Sequence, residues 1–277
     1  MGNKLKTLYI SDLDGTLLNK DSKLSEYSVK TLNGLIDSGM IFSYATARSL
    51  SSALVVTNGL KTNTPLIIYN GTFIVDPKTQ KILFSLYFND YEKNKIMDLL
   101  NKYSIYPLVY KHINDEEKVS WIEGKENDGI IDLLNKRIGD KRYVSVKNVD
   151  QLYYGNVFYF TCIGAKYELI NAYNELNLNL ECTCVLQQEL YRPEYWFQIM
   201  HKNANKGNAI KKLKEIANCE KIISFGDAIN DIPMFQNSDE CYAVENAVEE
   251  IKSKSTGIIL SNNNDGVVQW LNKHYKK

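Results

Sequence analysis

Apolar residues in this chain gather into short runs of β character, each leading into a polar turn and then into a stretch of helical spacing. Leu8, Tyr9 and Ile10 form the first run and feed directly into Ser11-Asp12-Leu13-Asp14-Gly15-Thr16. Val29, Leu32, Leu35 and Ile36 then recur at helical spacing, with Ser25 or Ser28 able to cap the start and Gly39 to close it. Residues 40–45 read as a second strand ending at Thr46-Ala47-Arg48-Ser49, with a helix from about Ser49 or Ser51, and residues 65–69 as a third strand ending at Asn70-Gly71-Thr72. Strand, helix, strand, helix, strand is the pattern of a parallel sheet covered by helices.

The rhythm then changes. Residues 73–88 hold short strand-like pieces around Asp76-Pro77-Lys78. They are followed by a helical stretch (89–103), a strand (107–111) and a polar region (114–127). A helical stretch (129–138), a strand (156–164), another helix (166–176) and a strand (180–186) complete a mixed, tyrosine-rich segment with no phosphate-type loop of its own. This reads as a second domain, residues 84–189, inserted into a first made of residues 1–83 and 190–277. The first pattern resumes at Asn205-Lys206-Gly207, which opens an amphipathic helix with Ala209, Ile210, Leu213 and Ile216 on one face. A strand at 221–225 runs into Gly226-Asp227-Ala228-Ile229-Asn230-Asp231. Residues 232–235 (helix), 241–244 (strand), 247–254 (helix), 258–260 and 266–274 finish the chain. The expected class is α/β, a doubly wound parallel sheet with an inserted α/β domain.

Composition narrows the function. The chain has 277 residues, enough for two domains, and 33 basic against 33 acidic side chains. A net charge of zero argues against a dedicated nucleic-acid or membrane surface. No apolar run approaches the length of a membrane span, and no apolar stretch follows the N-terminal lysines as in a signal peptide. Five scattered cysteines (162, 182, 184, 219, 241) fit a reduced, cytoplasmic protein better than a disulfide framework. The three histidines are far apart, so a hard cation such as Mg²⁺ on acidic ligands is favoured over zinc.

The polar residues at the strand ends are the candidate chemistry: Asp12 and Asp14, Thr46, Asn70, and Asp227, Asn230 and Asp231. In an open parallel sheet, ligands bind beyond the carboxyl ends of the strands, so groups distant in sequence converge there. If the first strand runs on through Asp14, Asp12 and Asp14 point to the same side. Two such carboxylates need a cation between them, or one must stay protonated. Phosphoryl transfer calls for this set. One carboxylate serves as nucleophile and another as acid and base. A metal screens charge, and a hydroxyl, a lysine and backbone N–H groups hold the phosphate oxygens.

At this point the sequence resembles the haloacid dehalogenase superfamily, in its Cof-type sugar-phosphatase-like branch. Asp12-Leu13-Asp14-Gly15-Thr16-Leu17-Leu18 is similar to the first motif, Thr46 in Ala45-Thr46-Ala47-Arg48 to the second, and Lys206 in Asn205-Lys206-Gly207 to the third. Gly226-Asp227-Ala228-Ile229-Asn230-Asp231 is similar to the fourth. The resemblance implies a Rossmann-like core with an α/β cap whose closure excludes water. It implies Asp12 as the nucleophile on phosphorus and Asp14 as general acid, then base. Thr46 and Lys206 would bind the phosphoryl oxygens, and Asn230 would bind or orient the phosphate or orient Lys206. Mg²⁺ would sit on the carboxylates of Asp12 and Asp227, the backbone carbonyl of Asp14 and, directly or through water, Asp231. The implied activity is Mg²⁺-dependent hydrolysis of a small phosphorylated metabolite, a sugar phosphate above all, through an aspartyl-phosphate.

The alternatives are a phosphomutase on the same pair of aspartates and a protein that binds phosphometabolites without turnover. Ala47 and Glu245 replace glycines usual in the branch, and Gln198, His201 and Asn203 replace its glutamate, proline and glycine upstream of the lysine. These changes touch loop shape and substrate fit rather than a catalytic group. Taken singly, Thr46 reads equally as a helix cap, Lys206 as a surface lysine and Asn70 as a turn residue. Arg48, His201 and Arg192 read as surface or structural residues rather than substrate contacts.

Overall fold

In the computed structural model the described residues are 5–179, 182–188 and 193–275. They divide into two compact units, residues 5–85 with 204–275, and residues 86–203. The strands are β1 (Thr7–Ser11), β2 (Ile41–Tyr44), β3 (Leu66–Ile68), β4 (Phe73–Val75), β5 (Ile82–Ser85), β6 (Leu108–Ile113) and β7 (Glu116–Ile122). They continue with β8 (Tyr143–Val146), β9 (Asn156–Gly164), β10 (Cys182–Gln188), β11 (Tyr195–His201), β12 (Lys221–Gly226), β13 (Glu240–Val244) and β14 (Gly257–Ile259).

The first unit is built on a five-stranded sheet in the order β14-β13-β12-β1-β2, every pairing parallel. Ala45 bridges to Ile67, which brings β3 alongside β2, and β3, β4 and β5 form a small antiparallel sheet. Leu8, Ile10, Phe42, Phe225 and Ala243 are fully buried, as expected where helices cover both faces of a parallel sheet. Helix Glu26–Asp37 packs against Gly266–His274, and helix Lys206–Ile216 against Ile232–Phe235 and β3. Ser25, rather than Ser28, caps the first of these helices by accepting the Ser28 N–H. The helix expected over 247–254 forms only at Glu249–Lys252.

The second unit has a six-stranded sheet in the order β10-β11-β9-β6-β7-β8, antiparallel except for β7 and β8. Helices Asp90–Lys102 and Lys166–Asn179 cover it: Ile96, Leu100, Leu169 and Leu176 pack with Val109, Phe160, Phe197 and Ile199. This unit runs to residue 203, past the expected boundary at 189, because Tyr195–His201 pairs with β10 and β9 and not with the first unit's sheet. The polar region expected over 114–127 contains β7. Asn114 and Asp115, both left-handed, make the tight hairpin from β6 to β7. Arg192 and the expected boundary itself lie outside the described residues. Among the described residues, no helix is long and apolar enough to cross a membrane, and all five cysteines are free.

Candidate active site

The carboxyl ends of β1, β2, β3 and β12 carry the polar residues of the first unit. The extended strand β1 ends at Ser11. Asp12 remains extended and donates its N–H to the Phe225 carbonyl at 2.9 Å, so the side chain emerges at the boundary of β1 and β12. Asp12 is buried, and its Oδ1 accepts from Lys206 Nζ at 2.7 Å. The chain then coils instead of continuing as strand, with Gly15 at φ +77°. The coil separates the two aspartates. Asp14 is 48% exposed and accepts from Arg48 Nε at 2.7 Å and Nη2 at 2.5 Å. This fork-to-fork ion pair, with Ser52 accepting from Nη1, is where the structure puts Arg48.

Gly15 is required by close approach as well as by its torsion. A Cβ there would lie 2.3 Å from Asp227 Oδ2. Thr16 Oγ1 donates to Asp227 Oδ1 at 2.7 Å, a role the sequence reading missed although Thr16 belongs to the first motif. Asn246, in a segment Glu245-Asn246-Ala247 that resembles one in the same branch, has a structural part as well. Its Nδ2 donates to the Gly15 carbonyl and its Oδ1 accepts from the Asn262 N–H, so it anchors the coil from the far side.

Thr46 is fully buried and follows β2. It is not the helix cap, since Ser49 takes that part by accepting the Ser52 N–H. Thr46 Oγ1 instead accepts the Arg48 N–H at 3.1 Å, which leaves its hydroxyl proton to donate. Lys206 is not a surface lysine. It opens the helix Lys206–Ile216, is 1% exposed, and donates to Asp12 and to Asp231 Oδ1 at 2.5 Å. Asp231 is fully buried, and its Oδ2 accepts the N–H groups of Asp227 and Ala228, holding the loop after β12. Asn230 Nδ2 donates to Asn70 Oδ1 at 3.2 Å. Gln198, His201 and Asn203 belong to the second unit. There His201 lies 3.8 Å from the Glu92 carboxylate and accepts the Asn203 N–H.

The electrostatics of the cluster are unbalanced. Oxygens of Asp12, Asp227 and Asp231 lie within 4.8 Å of one another, and Lys206 is the cation that Asp12 and Asp231 share. Burial raises the Asp12 pKa well above the ordinary carboxylate range. Lys206 opposes this, while Asp231 and Asp227 add to it. Asp227 is pushed up to about 6, chiefly by burial, with the Thr16 hydrogen bond pulling the other way. Burial also works against the Lys206 charge, but Asp12 and Asp231 outweigh it and raise its pKa. Three clustered carboxylates with one ammonium leave excess negative charge on hard oxygen donors. That donor set suits a divalent cation such as Mg²⁺.

A carboxylate whose pKa is higher in the folded state than in the unfolded chain retains a proton that the unfolded chain has released. Stability of the metal-free protein from this source is therefore present at low pH and is lost as pH rises through about 6 for Asp227. A bound cation opposes that loss and competes with the protons. The rise in thermal midpoint on adding Mg²⁺ is expected to be largest near pH 7 and to shrink as pH falls through about 6. Melting curves in EDTA and in excess Mg²⁺ across that interval check it, and a metal effect that grows on acidification would contradict the assignment.

A family model for haloacid dehalogenase-like hydrolases matches residues 9–271. The chain is 27% identical to the 5-amino-6-(5-phospho-D-ribitylamino)uracil phosphatase YwtE of Bacillus subtilis, over 95% of this chain and 96% of that one. It is 31% identical to a phosphoglycolate phosphatase of Sulfurisphaera tokodaii, over 65% of this chain and 84% of the other. Among solved structures, a haloacid dehalogenase-like hydrolase from Bacteroides thetaiotaomicron shares the fold with a TM-score of 0.78 at 21% identity, covering 98% of this chain and 100% of that one.

Proposed function

The chain belongs to the haloacid dehalogenase-like hydrolases, and on that premise we propose that it is a Mg²⁺-dependent phosphatase of a small phosphorylated metabolite, working through an aspartyl-phosphate. The observation that carries the reading is the buried pairing of Asp12 with Lys206 at the end of β1, beside Asp227 and Asp231. Asp12 is the nucleophile: its carboxylate attacks phosphorus as the ester oxygen departs. Asp14 protonates that oxygen and afterwards takes a proton from the water that cleaves the acyl phosphate. In the structure both oxygens of Asp14 accept from Arg48, so one of these contacts has to open for Asp14 to carry the proton it gives to the leaving oxygen. Lys206, the Thr46 hydroxyl and Asn230 hold the phosphoryl oxygens as charge shifts onto them.

Asp12 and Asp227, the Asp14 carbonyl and Asp231 would hold the metal. Both oxygens of Asp231 already accept hydrogen bonds, from Lys206 and from the loop after β12, which favours its contact through water. Bound there, Mg²⁺ would supply charge screening between Asp12 and a dianionic phosphate.

The substrate class draws support from the relatives, whose names specify a 5-phospho-D-ribitylamino compound and phosphoglycolate. The ribityl phosphate of the first favours a sugar or sugar-alcohol phosphate, whereas phosphoglycolate supports only a small phosphomonoester. Five free cysteines support a reducing, cytoplasmic setting. The test is phosphate release from a panel of sugar phosphates and other phosphomonoesters. Release with Mg²⁺ that stops with EDTA is the expected result. Isomerised product without free phosphate would replace the hydrolase with a mutase, and metal-independent release would overturn the metal assignment.

A further inference from the structure

The loop after β3 departs from ordinary backbone torsions for three consecutive residues. Tyr69, Asn70 and Gly71 have φ of +49°, +54° and +98°. A left-handed tyrosine persists only where its surroundings over-determine it, and here they do. The Tyr69 N–H donates to the Arg48 carbonyl at 3.0 Å and the Asn70 N–H to the Thr46 carbonyl at 2.9 Å. A Cβ on Gly71 would lie 2.4 Å from the carbonyl oxygen of Asn205, the cap of the helix that begins with Lys206. The turn is thus wedged between the loop of Thr46 and the start of the Lys206 helix.

Asn70 is buried, 6% exposed. Asparagine often enters the left-handed region to bond its own local backbone. Here the Asn70 side chain reaches elsewhere, its Oδ1 accepting from Asn230 Nδ2 at 3.2 Å, 160 residues along the chain. An amide NH₂ group is planar, so once one N–H is taken the direction of the other is fixed.

We infer that Asn70 is a positioning residue for the phosphoryl group: by accepting one N–H of Asn230 it aims the other at a phosphoryl oxygen, and its turn sets the spacing of that donor from Thr46 and Lys206. The inference rests on the reading of Asn230 as a phosphate-binding residue.

Asn70→Gly is the informative variant, because glycine takes up the left-handed torsion freely while the carboxamide is lost. It is expected to raise KM and the inhibition constant for inorganic phosphate about 10-fold, the scale of one hydrogen bond to an anion, with a smaller change in kcat. The thermal midpoint should stay close to that of the wild type. In an Asn230→Ala background the same substitution should have no further effect, since Asn70 acts through Asn230. Unchanged constants for Asn70→Gly, or an effect undiminished in that background, would overturn the inference while leaving the phosphatase reading intact. Calorimetric binding of inorganic phosphate gives the same comparison independently of turnover. A wild type that neither releases nor binds phosphate would overturn the functional reading, and this inference with it.

Discussion

Asp12→Asn abolishes phosphate release, by about 10⁴-fold or more, and leaves the fold standing. An amide nitrogen or oxygen cannot replace the carboxylate as nucleophile, so the loss falls on the chemical step. The stability expectation comes from the surroundings. Asp12 is buried beside Asp227 and Asp231, whose charges oppose its own, and the amide oxygen still accepts from Lys206. Removing one of three crowded negative charges therefore offsets much of the lost ion pair. The thermal midpoint in EDTA should hold or rise, while turnover of the best substrate falls to background. Residual activity within about 10-fold of wild type would remove Asp12 from the role of nucleophile.

Lys206→Met produces the largest loss of stability. The ammonium is 1% exposed and donates to two buried carboxylates. Methionine fills a similar volume but leaves Asp12 and Asp231 without their shared cation. Removing one member of a buried ion pair costs about 3–5 kcal/mol, because the surviving charge stays desolvated. Urea unfolding in EDTA should show that loss, and Mg²⁺ should recover part of it by supplying positive charge to the same carboxylates. Activity should fall as well, about 10³-fold, as a donor to the developing phosphoryl charge disappears. An unchanged urea midpoint in EDTA would mean that Lys206 does not neutralise the cluster.

Much of this site was legible in the sequence because its members are adjacent or follow a strand. Asp12, Asp14 and Gly15 sit together, as do Gly226, Asp227, Asn230 and Asp231, and the apolar runs before them fix which end of the sheet they occupy. Thr46 and Lys206 were ambiguous one at a time. A threonine before a helix and a lysine at a helix start have ordinary uses, and only burial against Asp12 and Asp231 separates Lys206 from those. The different surroundings of Asp12 and Asp14 were not legible, since they depend on where the strand stops and where Arg48 reaches.

Contacts between side chains far apart in sequence were hidden for the same reason. The bond from Asn230 to Asn70 and the anchoring of Gly15 by Asn246 leave no local pattern. In the second unit, Tyr195–His201 escaped notice because its partners, β9 and β10, are fixed by tertiary pairing. The β7 strand escaped because its charged residues, Glu116, Glu117 and Lys118, mask the alternation.

Strand β1 lies between β2 and β12. The first partner follows it by some thirty residues, but the second begins only at Lys221. A ribosome adding about 5–20 residues per second needs on the order of ten seconds or more to reach that point. For that interval the Leu8–Ile10 edge lacks the strand partner for its backbone donors and acceptors, the condition under which strands pair with the wrong neighbour. The interrupted order of the core therefore leaves β1 without one of its two sheet neighbours until synthesis has passed the whole second unit.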